Sequence, residues 1–368
     1  MSDPTPTPGD TPPDLDQLRN RIDELDRTLV KLLNERASVV VDVGRAKSID
    51  GTPIYAPDRE SAVLKRLVQR NEGPLPDRTI EGIWRELMSG SFRLERPLRI
   101  CYLGPEGTFS HLAALRHFGS STELAHTPGI EATVEEVESG RADYGLVPYE
   151  NSIGGSVHET LDALAERRCP ACAETLVAID QSLMANCLPA EIHKIASRPE
   201  ALTQCRKWIA NNYPDAAIIE TTSTAAAVQM AASEPNCAAI GCQLAGSIHG
   251  VKVLFDRIQD RSENVTRFLV LGKQSPAPTG KDRTTILFET DDRPGALVDV
   301  LLAFRNNEVN LTHIEKRPSQ RENWTYTFFV DAEGHREDEP MRKTIESATP
   351  HCASIRILGS YPRAARVL

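Results

Sequence analysis

The chain has 368 residues, a formal net charge of −10, and 40% hydrophobic and 26% charged residues. This length predicts two or three domains of ordinary size. Lys and Arg do not cluster with aromatic residues, which argues against nucleic-acid binding, and no apolar run approaches the ~18 residues of a membrane span. Residues 1–14 are acidic and rich in Pro and Thr, unlike a signal peptide, and predict a disordered tail on a cytoplasmic protein.

Apolar residues recur at helical spacing between residues 15 and 47, without an intervening Pro or Gly before Gly44. Breaks at residues 50–53 and 73–76 separate this long helix from two shorter ones, predicted at about 57–71 and 77–96. A helix of that length cannot bury its apolar stripe on two short helices alone. The N-terminal region, residues 15–97, is therefore predicted to be all-helical and to self-associate.

From residue 98 the pattern changes to short apolar strands alternating with helices, which predicts an α/β region with a mainly parallel sheet over residues 98–274. Residues 275–283 are a polar, Pro-containing linker. Residues 284–368 show the order βαββαβ, which is the ferredoxin-like α+β arrangement. The sequence thus predicts three domains of different fold class.

The eight cysteines are scattered, and the one CxxC pair, Cys169 and Cys172, has no second pair nearby. A structural zinc site would need that second pair, and a thioredoxin-type motif would open a helix rather than follow one. We interpret these residues as incidental buried thiols. Neither a metal nor another cofactor is expected.

Basic residues on the first helix have an informative spacing. Arg36 and Lys47 share one face about 16 Å apart, whereas Arg19 lies about 26 Å from Arg36 and roughly 100° around the axis. If all three bind one small ligand, Arg19 must come from a second chain.

The segment LRNRIDELDRTLVKLLNERASVVVDVGRAK, followed by YAPDRE and LMSGSFRLE, resembles the all-helical chorismate mutase family, an intertwined homodimer of three-helix chains. The resemblance implies the following chorismate-binding residues: Arg19, Arg36, Lys47, Arg59, Glu60, Ser91 and Glu95. The rearrangement of this dicarboxylate needs a clamped conformer and stabilisation of the ether oxygen, roles that suit Arg and Lys47.

Two positions depart from the family's pattern. Ala56 stands where some members have Asp, so that side chain is not indispensable. Glu95 stands where others have Gln, and a carboxyl can donate to the ether oxygen only when it is protonated. Mutase activity is therefore expected to fall as pH rises.

Three strand-to-helix turns, at residues 104–110, 151–156 and 221–224, combine Gly, Ser or Thr in a way that exposes backbone N–H groups. One such turn is usually only a turn, but three favour an anionic ligand. Together with SRPEALTQC, AAIGCQLAG and NVTRF, this region resembles prephenate dehydratase, a two-lobed fold like the type II periplasmic binding proteins. The matching prephenate-binding positions are Glu150, Asn151, Ser197, Gln204, Thr224, Thr266, Arg267 and Phe268.

The resemblance implies a reaction in which prephenate loses carbon dioxide and its ring hydroxyl together, so a proton donor near that hydroxyl is required. Thr266 is the implied donor, although a threonine hydroxyl alone is a weak acid. Arg267 either holds a substrate carboxylate or organises the cleft, and the sequence leaves both open.

The C-terminal region resembles an ACT domain, a ligand-sensing module. Its first motif contains Gly295, Ala296, Leu297 and Val298, and its second contains Glu315, Arg317 and Pro318, with Lys316 where the family usually has Ser. Gly295 allows a close backbone approach by a small ligand. The resemblance implies phenylalanine bound at a dimer interface.

The order of the three regions is that of the bifunctional chorismate mutase/prephenate dehydratases of phenylalanine biosynthesis. This implies conversion of chorismate to prephenate and of prephenate to phenylpyruvate, with allosteric inhibition by L-phenylalanine and assembly as a homodimer or larger homo-oligomer. Two alternatives remain: a monofunctional prephenate or arogenate dehydratase with a structural helical domain, and a non-catalytic carboxylate or amino-acid sensor.

Overall fold

The computed structural model describes residues 14–50, 52–318 and 326–368, so nearly all of the predicted N-terminal tail lies outside the described residues. The helical region consists of α1 (Leu15–Asp50), α2 (Pro57–Gln69) and α3 (Asp77–Glu95), close to the predicted bounds. No residue of α1 is buried. Its apolar stripe is exposed along most of its length: Leu15, Leu18, Ile22, Leu25, Leu29, Leu32 and Leu33.

The middle region forms two lobes, each built on its own sheet. Its elements are β1 (Arg99–Leu103), α4 (Phe109–Phe118), β2 (Glu123–Thr127), α5 (Ile130–Glu138), β3 (Tyr144–Asn151), β4 (Gly155–Ser156), α6 (His158–Glu166), β5 (Ala171–Ala178), β6 (Ser182–Met184), β7 (Lys194–Ser197), α7 (Pro199–Gln204), α8 (Arg206–Asn212), β8 (Ala217–Glu220), α9 (Thr224–Ser233), β9 (Cys237–Gly241), α10 (Gln243–His249), β10 (Val253–Phe255) and β11 (Val265–Leu271).

The first lobe has the strand order β2-β1-β3-β11-β5, with β4 paired to β3, and the second has the order β10-β6-β9-β7-β8. The α/β prediction is confirmed, but the sheets are mixed rather than mainly parallel. β11 runs antiparallel to both of its neighbours because the chain returns to the first lobe from the second. Two connections, residues 179–181 and 256–264, join the lobes.

The C-terminal region contains β12 (Asp282–Glu289), α11 (Ala296–Asn306), β13 (Leu311–Pro318), β14 (Tyr326–Glu333), α12 (Glu339–Ala348) and β15 (Ser354–Pro362). Its antiparallel sheet has the order β13-β14-β12-β15, as the predicted ferredoxin-like βαββαβ order requires. Alternate residues of the central strands pack beneath the two helices, with Ile286, Phe288, Val330 and Phe304 in one apolar core.

Tyr55, in the connection between α1 and α2, joins the helical region to the first lobe. Its side chain is 1% exposed and packs in one apolar core with Phe118 and Tyr144. The hydroxyl is 2.7 Å from Nε2 of His117 on α4. Burial lowers the pKa of His117 to about 3, so this imidazole is neutral at physiological pH. The helical region is therefore anchored on the two-lobed region through an uncharged, buried contact.

After β15 the chain runs back along the first lobe. Val367 forms a parallel bridge with Leu176 of β5, and the Leu368 amide donates to the Leu176 carbonyl at 2.8 Å. Arg366 forms an ion pair with Glu81 of α3. Residues 363–368 therefore contact both other regions of the chain.

Candidate active site

A hydrogen bond between two neighbouring strands places Thr266 beside Asn151. Thr266 on β11 is opposite Asn151 on β3 in the sheet register, and Asn151 Nδ2 donates to Thr266 Oγ1 at 2.9 Å. Thr266 is 8% exposed. Because its oxygen accepts this bond, its own O–H remains available to donate elsewhere.

The Asn151 amide has one orientation. Its Oδ1 accepts from the backbone N–H groups of Ile153 and Gly154, at 3.0 and 2.8 Å, so the amide nitrogen must face Thr266. These backbone donors belong to the turn at residues 151–156, which the sequence suggested as part of an anion site. In the structure they instead hold Asn151.

The polar network continues from the first lobe into the second. Asn151 Nδ2 lies 2.7 Å from Asn264 Oδ1, and Asn264 Nδ2 donates to Oε1 of Gln204 on α7 at 3.1 Å. Gln181 Nε2 donates to the same Gln204 oxygen at 3.1 Å. The structure thus brings together three predicted residues, Thr266, Asn151 and Gln204, through two that were not predicted.

Asn264 and Gln181 lie on the two connections between the lobes and are almost fully buried. Residue type alone does not distinguish them from other amides in the sequence. A signal was present for Asn264, because a residue two positions before Thr266 lies on the same face of an extended chain.

Ser197 and Thr224 lie at one edge of the second-lobe sheet. β7 and β8 are parallel, so Ser197 and the turn that leads into α9 share the carboxyl-terminal edge, where open α/β sheets bind ligands. The Ser197 hydroxyl donates to the Ile240 carbonyl at 2.6 Å. Thr224 opens α9, whose N-cap is Ser223.

The turn at residues 104–110 brings the lobes into contact. Gly107 has φ +82°, and a Cβ built there would lie 2.8 Å from Cα of Ala245 on α10. This glycine therefore permits close approach of the second lobe. The Thr108 hydroxyl accepts from the His111 amide and caps α4.

Three predicted residues, Arg267, Glu150 and Phe268, lie apart from the Thr266 cluster. Adjacent residues of a strand point to opposite faces, so Arg267 is directed away from Thr266. Arg267 and Glu150 line a separate cavity of about 250 Å³, with 3.5 Å between Arg267 Nη1 and Glu150 Oε2. Phe268 is 1% exposed in the core beneath α4.

Arg267 donates hydrogen bonds to partners on three other strands. It donates to Glu174 of β5 at 2.7 Å, to Asp331 of β14 at 2.5 Å and to the Tyr361 hydroxyl of β15 at 2.9 Å. Of the two roles that the sequence left open for Arg267, this geometry favours organisation of the structure.

A second polar cluster lies between α1 and α3. Lys47 Nζ donates to Glu95 Oε2 and to the Ile54 carbonyl, each at 2.9 Å, and Arg36 donates to the Ser91 hydroxyl at 2.9 Å. Gly44 allows this approach, because a Cβ there would lie 3.0 Å from Glu95 Cγ. Four of the predicted chorismate-binding residues thus form two pairs across the α1–α3 interface, Arg36 with Ser91 and Lys47 with Glu95.

The other three residues predicted for this cluster differ in their surroundings. Arg19 is 66% exposed and pairs with Asp16, one helical turn away. Arg59 is exposed at the start of α2. Glu60 is half-buried, and burial raises the pKa of its carboxyl to about 7 despite the opposing charge of Arg85. The cluster of one chain therefore lacks Arg19.

The two predicted motifs of the C-terminal region have different surroundings. Gly295 has φ +83° at the start of α11, where Ala296 is buried and Val298 is 57% exposed. On β13, Glu315 accepts from Ser156 at 2.8 Å, and Arg317 donates to both oxygens of Asp162 at 3.0 and 2.6 Å.

Leu297, Pro318 and Lys316 complete these motifs. Leu297 is partly buried beside the C-terminal core, and Pro318 is the exposed last residue of β13. Lys316, which departs from the family's motif, places its ammonium 3.3 Å from the centroid of the Tyr326 ring.

Within the described ranges, no group of three or more His, Cys, Asp and Glu side chains could hold a metal ion. Cys169 and Cys172 are buried, and burial raises the pKa of the Cys169 thiol to about 12. In those same ranges no helix has the length and apolarity needed to cross a bilayer.

A three-helix region, a two-lobed region with an amide network between its lobes, and a ferredoxin-like region define a multidomain small-molecule enzyme or sensor. Family models match each region: chorismate mutase type II over residues 18–96, prephenate dehydratase over 100–276 and the ACT domain over 284–349.

Known proteins match nearly the whole chain. The bifunctional chorismate mutase/prephenate dehydratase of Pseudomonas aeruginosa is 39% identical over 357 residues, covering 95% of this chain and 98% of the relative. That of Aquifex aeolicus is 38% identical with the same coverage. A crystal structure of prephenate dehydratase from Arthrobacter aurescens with L-Phe superposes with a TM-score of 0.69 at 32% identity, covering 73% of this chain and 90% of that one. The chain belongs to the bifunctional chorismate mutase/prephenate dehydratase family.

Proposed function

We propose that the chain catalyses two successive reactions, chorismate to prephenate in the helical region and prephenate to phenylpyruvate between the lobes. The observation that carries the second assignment is the bond from Asn151 to Thr266, because it leaves the Thr266 proton available. Full-length similarity to enzymes named for both activities supports the pair of reactions.

For the dehydratase step, Thr266 is the proton donor. The ring hydroxyl of prephenate leaves as water when it receives this proton, while the electrons of the breaking carbon–carboxylate bond enter the ring and carbon dioxide departs. A bond donated to Thr266 Oγ1 stabilises the oxygen as its proton leaves, which offsets the weak acidity of a hydroxyl. Water then restores the proton.

The residues assigned to prephenate fall into two groups. Asn151, Gln204 and Thr266 form the network between the lobes, and Ser197 and Thr224 supply the edge of the second sheet that closes on it. Arg267, Glu150 and Phe268 support the strand that carries Thr266.

For the mutase step, Arg36 and Arg59 clamp the carboxylates of chorismate. Lys47 donates to its ether oxygen, and Glu95 does so in its protonated form. Ser91 holds Arg36, and Glu60 lies at the start of α2. We propose a homodimer in which a second copy covers the exposed apolar stripe of α1 and supplies Arg19.

For regulation, we propose that L-phenylalanine binds the ACT region at the segment from Gly295 to Val298 and at Glu315, Arg317 and Pro318, and inhibits the enzyme. The Arthrobacter prephenate dehydratase structure contains L-Phe. Arg317 and Glu315 contact Asp162 and Ser156, which follow Asn151 closely in sequence, so a ligand at β13 could move the dehydratase site. Free thiols at all described cysteines are consistent with a cytoplasmic location.

One experiment tests these assignments together. The purified chain is given chorismate, and prephenate and phenylpyruvate are measured with and without L-phenylalanine. Phenylpyruvate formation that L-phenylalanine suppresses is the expected result. Turnover of prephenate but not chorismate would establish a monofunctional dehydratase, and binding of prephenate without product would establish a sensor.

A further inference from the structure

Asn264 connects the two lobes through an amide side chain that is 2% exposed. Its Oδ1 accepts from Asn151 and its Nδ2 donates to Gln204. Since two backbone N–H groups fix the Asn151 amide, rotating Asn264 by 180° would set nitrogen against nitrogen and oxygen against oxygen. The donor-to-acceptor order therefore has one direction, from the backbone turn to Gln204.

Gln204 receives two hydrogen bonds on the same atom. Asn264 and Gln181 both donate to Gln204 Oε1 at 3.1 Å, which uses both lone pairs of that oxygen. The Gln204 Nε2 has no hydrogen-bond acceptor among the described residues, and the side chain is only partly buried. The amide therefore has its oxygen turned inward and its N–H groups unused.

We propose that Asn264 and Gln181 are positioning residues that fix the Gln204 amide so that its nitrogen, rather than its oxygen, faces the substrate. This inference rests on the proposed dehydratase function. It adds that Gln204 presents a hydrogen-bond donor, rather than an acceptor, to the substrate. Thr266 and Gln204 then present an O–H and an N–H from opposite lobes. Such a pair recognises an acceptor oxygen, as in a carboxylate or a departing hydroxyl.

The backbone at both positioning residues is held independently of their side-chain amides. The Asn264 carbonyl accepts from Ile179 N–H at 2.8 Å, and the Gln181 N–H donates to the Gln259 side chain at 2.9 Å. An isosteric change at either side chain therefore alters polarity while leaving the chain in place.

The test is Asn264→Asp. An ionised carboxylate still accepts from Asn151 but places an acceptor against Gln204 Oε1, which turns the Gln204 amide and presents oxygen to the substrate. At pH 8 we expect kcat/KM for prephenate to fall ~10- to 100-fold, mainly through KM. As pH is lowered towards 5, the protonated fraction of the carboxyl increases and can donate again, so activity relative to wild type should rise.

Gln181→Glu makes the same change from the other connection and should show the same loss and the same recovery at low pH. Asn212→Asp, on exposed α8, is the matched control and should behave like wild type. Wild-type KM and pH profile in both N264D and Q181E would overturn the proposal.

Mutase activity of each variant reports whether the chain is folded. If N264D loses mutase activity as well as dehydratase activity, that variant is misfolded, and the proposal is then judged on Q181E alone. If the wild-type enzyme has no dehydratase activity, the proposed function fails separately. Prephenate binding measured by calorimetry then tests the positioning residues alone, with weaker binding in N264D expected and unchanged binding contradicting the proposal.

Discussion

Arg267 of the dehydratase strand β11 donates to Asp331 of the ACT strand β14, and both side chains are almost fully buried. Thr266, the adjacent residue, faces the opposite side of the sheet. One short segment therefore supplies the proposed proton donor to one region and a buried cation to another.

Asp331→Asn should destabilise the folded chain by about 3 kcal/mol, because it removes one partner of a buried ion pair. Burial alone would raise the pKa of Asp331, but the charge of Arg267 and hydrogen bonds from Arg267 and Thr285 outweigh it and lower the pKa. In the wild type, the contribution of this ion pair to the free energy of unfolding is therefore complete above about pH 4 and is lost as pH falls below it.

Urea unfolding at pH 7 and at pH 3 measures this contribution. The difference between wild type and D331N should be large at pH 7 and smaller at pH 3. An equal difference at both pH values would contradict the lowered pKa.

Thr266→Ala should reduce dehydratase turnover at least ~100-fold while leaving mutase activity unchanged, because it removes the hydroxyl proposed as the acid. Thr266→Ser keeps a hydroxyl and should retain a measurable part of the activity. Steady-state assays with prephenate and with chorismate distinguish a loss of dehydratase chemistry from a general loss of folded enzyme. Full dehydratase activity in T266A would show that Thr266 is not the proton donor and has only a structural role.

Glu95→Gln should flatten the pH dependence of mutase activity. A carboxyl donates to the ether oxygen only when protonated, so wild-type activity should fall as pH rises, whereas an amide donates at every pH. Lys47 keeps its bond to the Ile54 carbonyl in the variant. Measurement of kcat/KM for chorismate from pH 5 to 9 checks this, and identical slopes for both proteins would refute it.

Glu60→Gln should remove a pH dependence of stability. Burial raises the pKa of Glu60 to about 7, so between about pH 4.5 and 7 the folded state binds a proton that the unfolded state has released. The stability of the wild type should therefore fall as pH rises through this window, whereas the stability of the variant should lack this decrease. Melting temperatures at pH 5 and 8 provide the comparison, with exposed Glu24→Gln as the control.

Asp162→Asn should weaken inhibition by phenylalanine while dehydratase activity is retained. The change removes the charge that binds both nitrogens of the Arg317 fork and so loosens β13 from α6. Inhibition curves should shift to several-fold higher phenylalanine concentration. Glu166→Gln, exposed at the end of α6, should not shift them, and an unshifted curve for D162N would place the coupling elsewhere.

Periodicity predicted the long elements well. The helices α1 to α3 have strong apolar spacing and breaks at Gly and Pro, so their bounds were accurate. In the middle region, the sequence did not predict the strands β2, β4 and β10. β2 reads ELAHT and has little apolar character, whereas β4 and β10 have only two and three residues, so none of them produces a periodic signal.

The proposed dehydratase site was predictable in part. Thr266, Asn151 and Gln204 were identified from motifs, whereas the intervening Asn264 and Gln181 depend on how two distant connections meet. The separation of Arg267 from Thr266 follows from strand alternation and could have been anticipated. Its partner Asp331 could not, because that contact forms between two domains.

Residues 363–368 leave the ACT region, pair with Leu176 of the dehydratase sheet and reach Glu81 of the mutase helix α3. The linker of residues 272–281, between β11 and β12, separates the two regions in sequence, yet this returning segment joins them again. A chimaera made by exchanging ACT regions between relatives at that linker would also exchange this segment. Compatible grafts must therefore be chosen for their match to α3 and β5 as well as to the dehydratase surface beneath the ACT sheet.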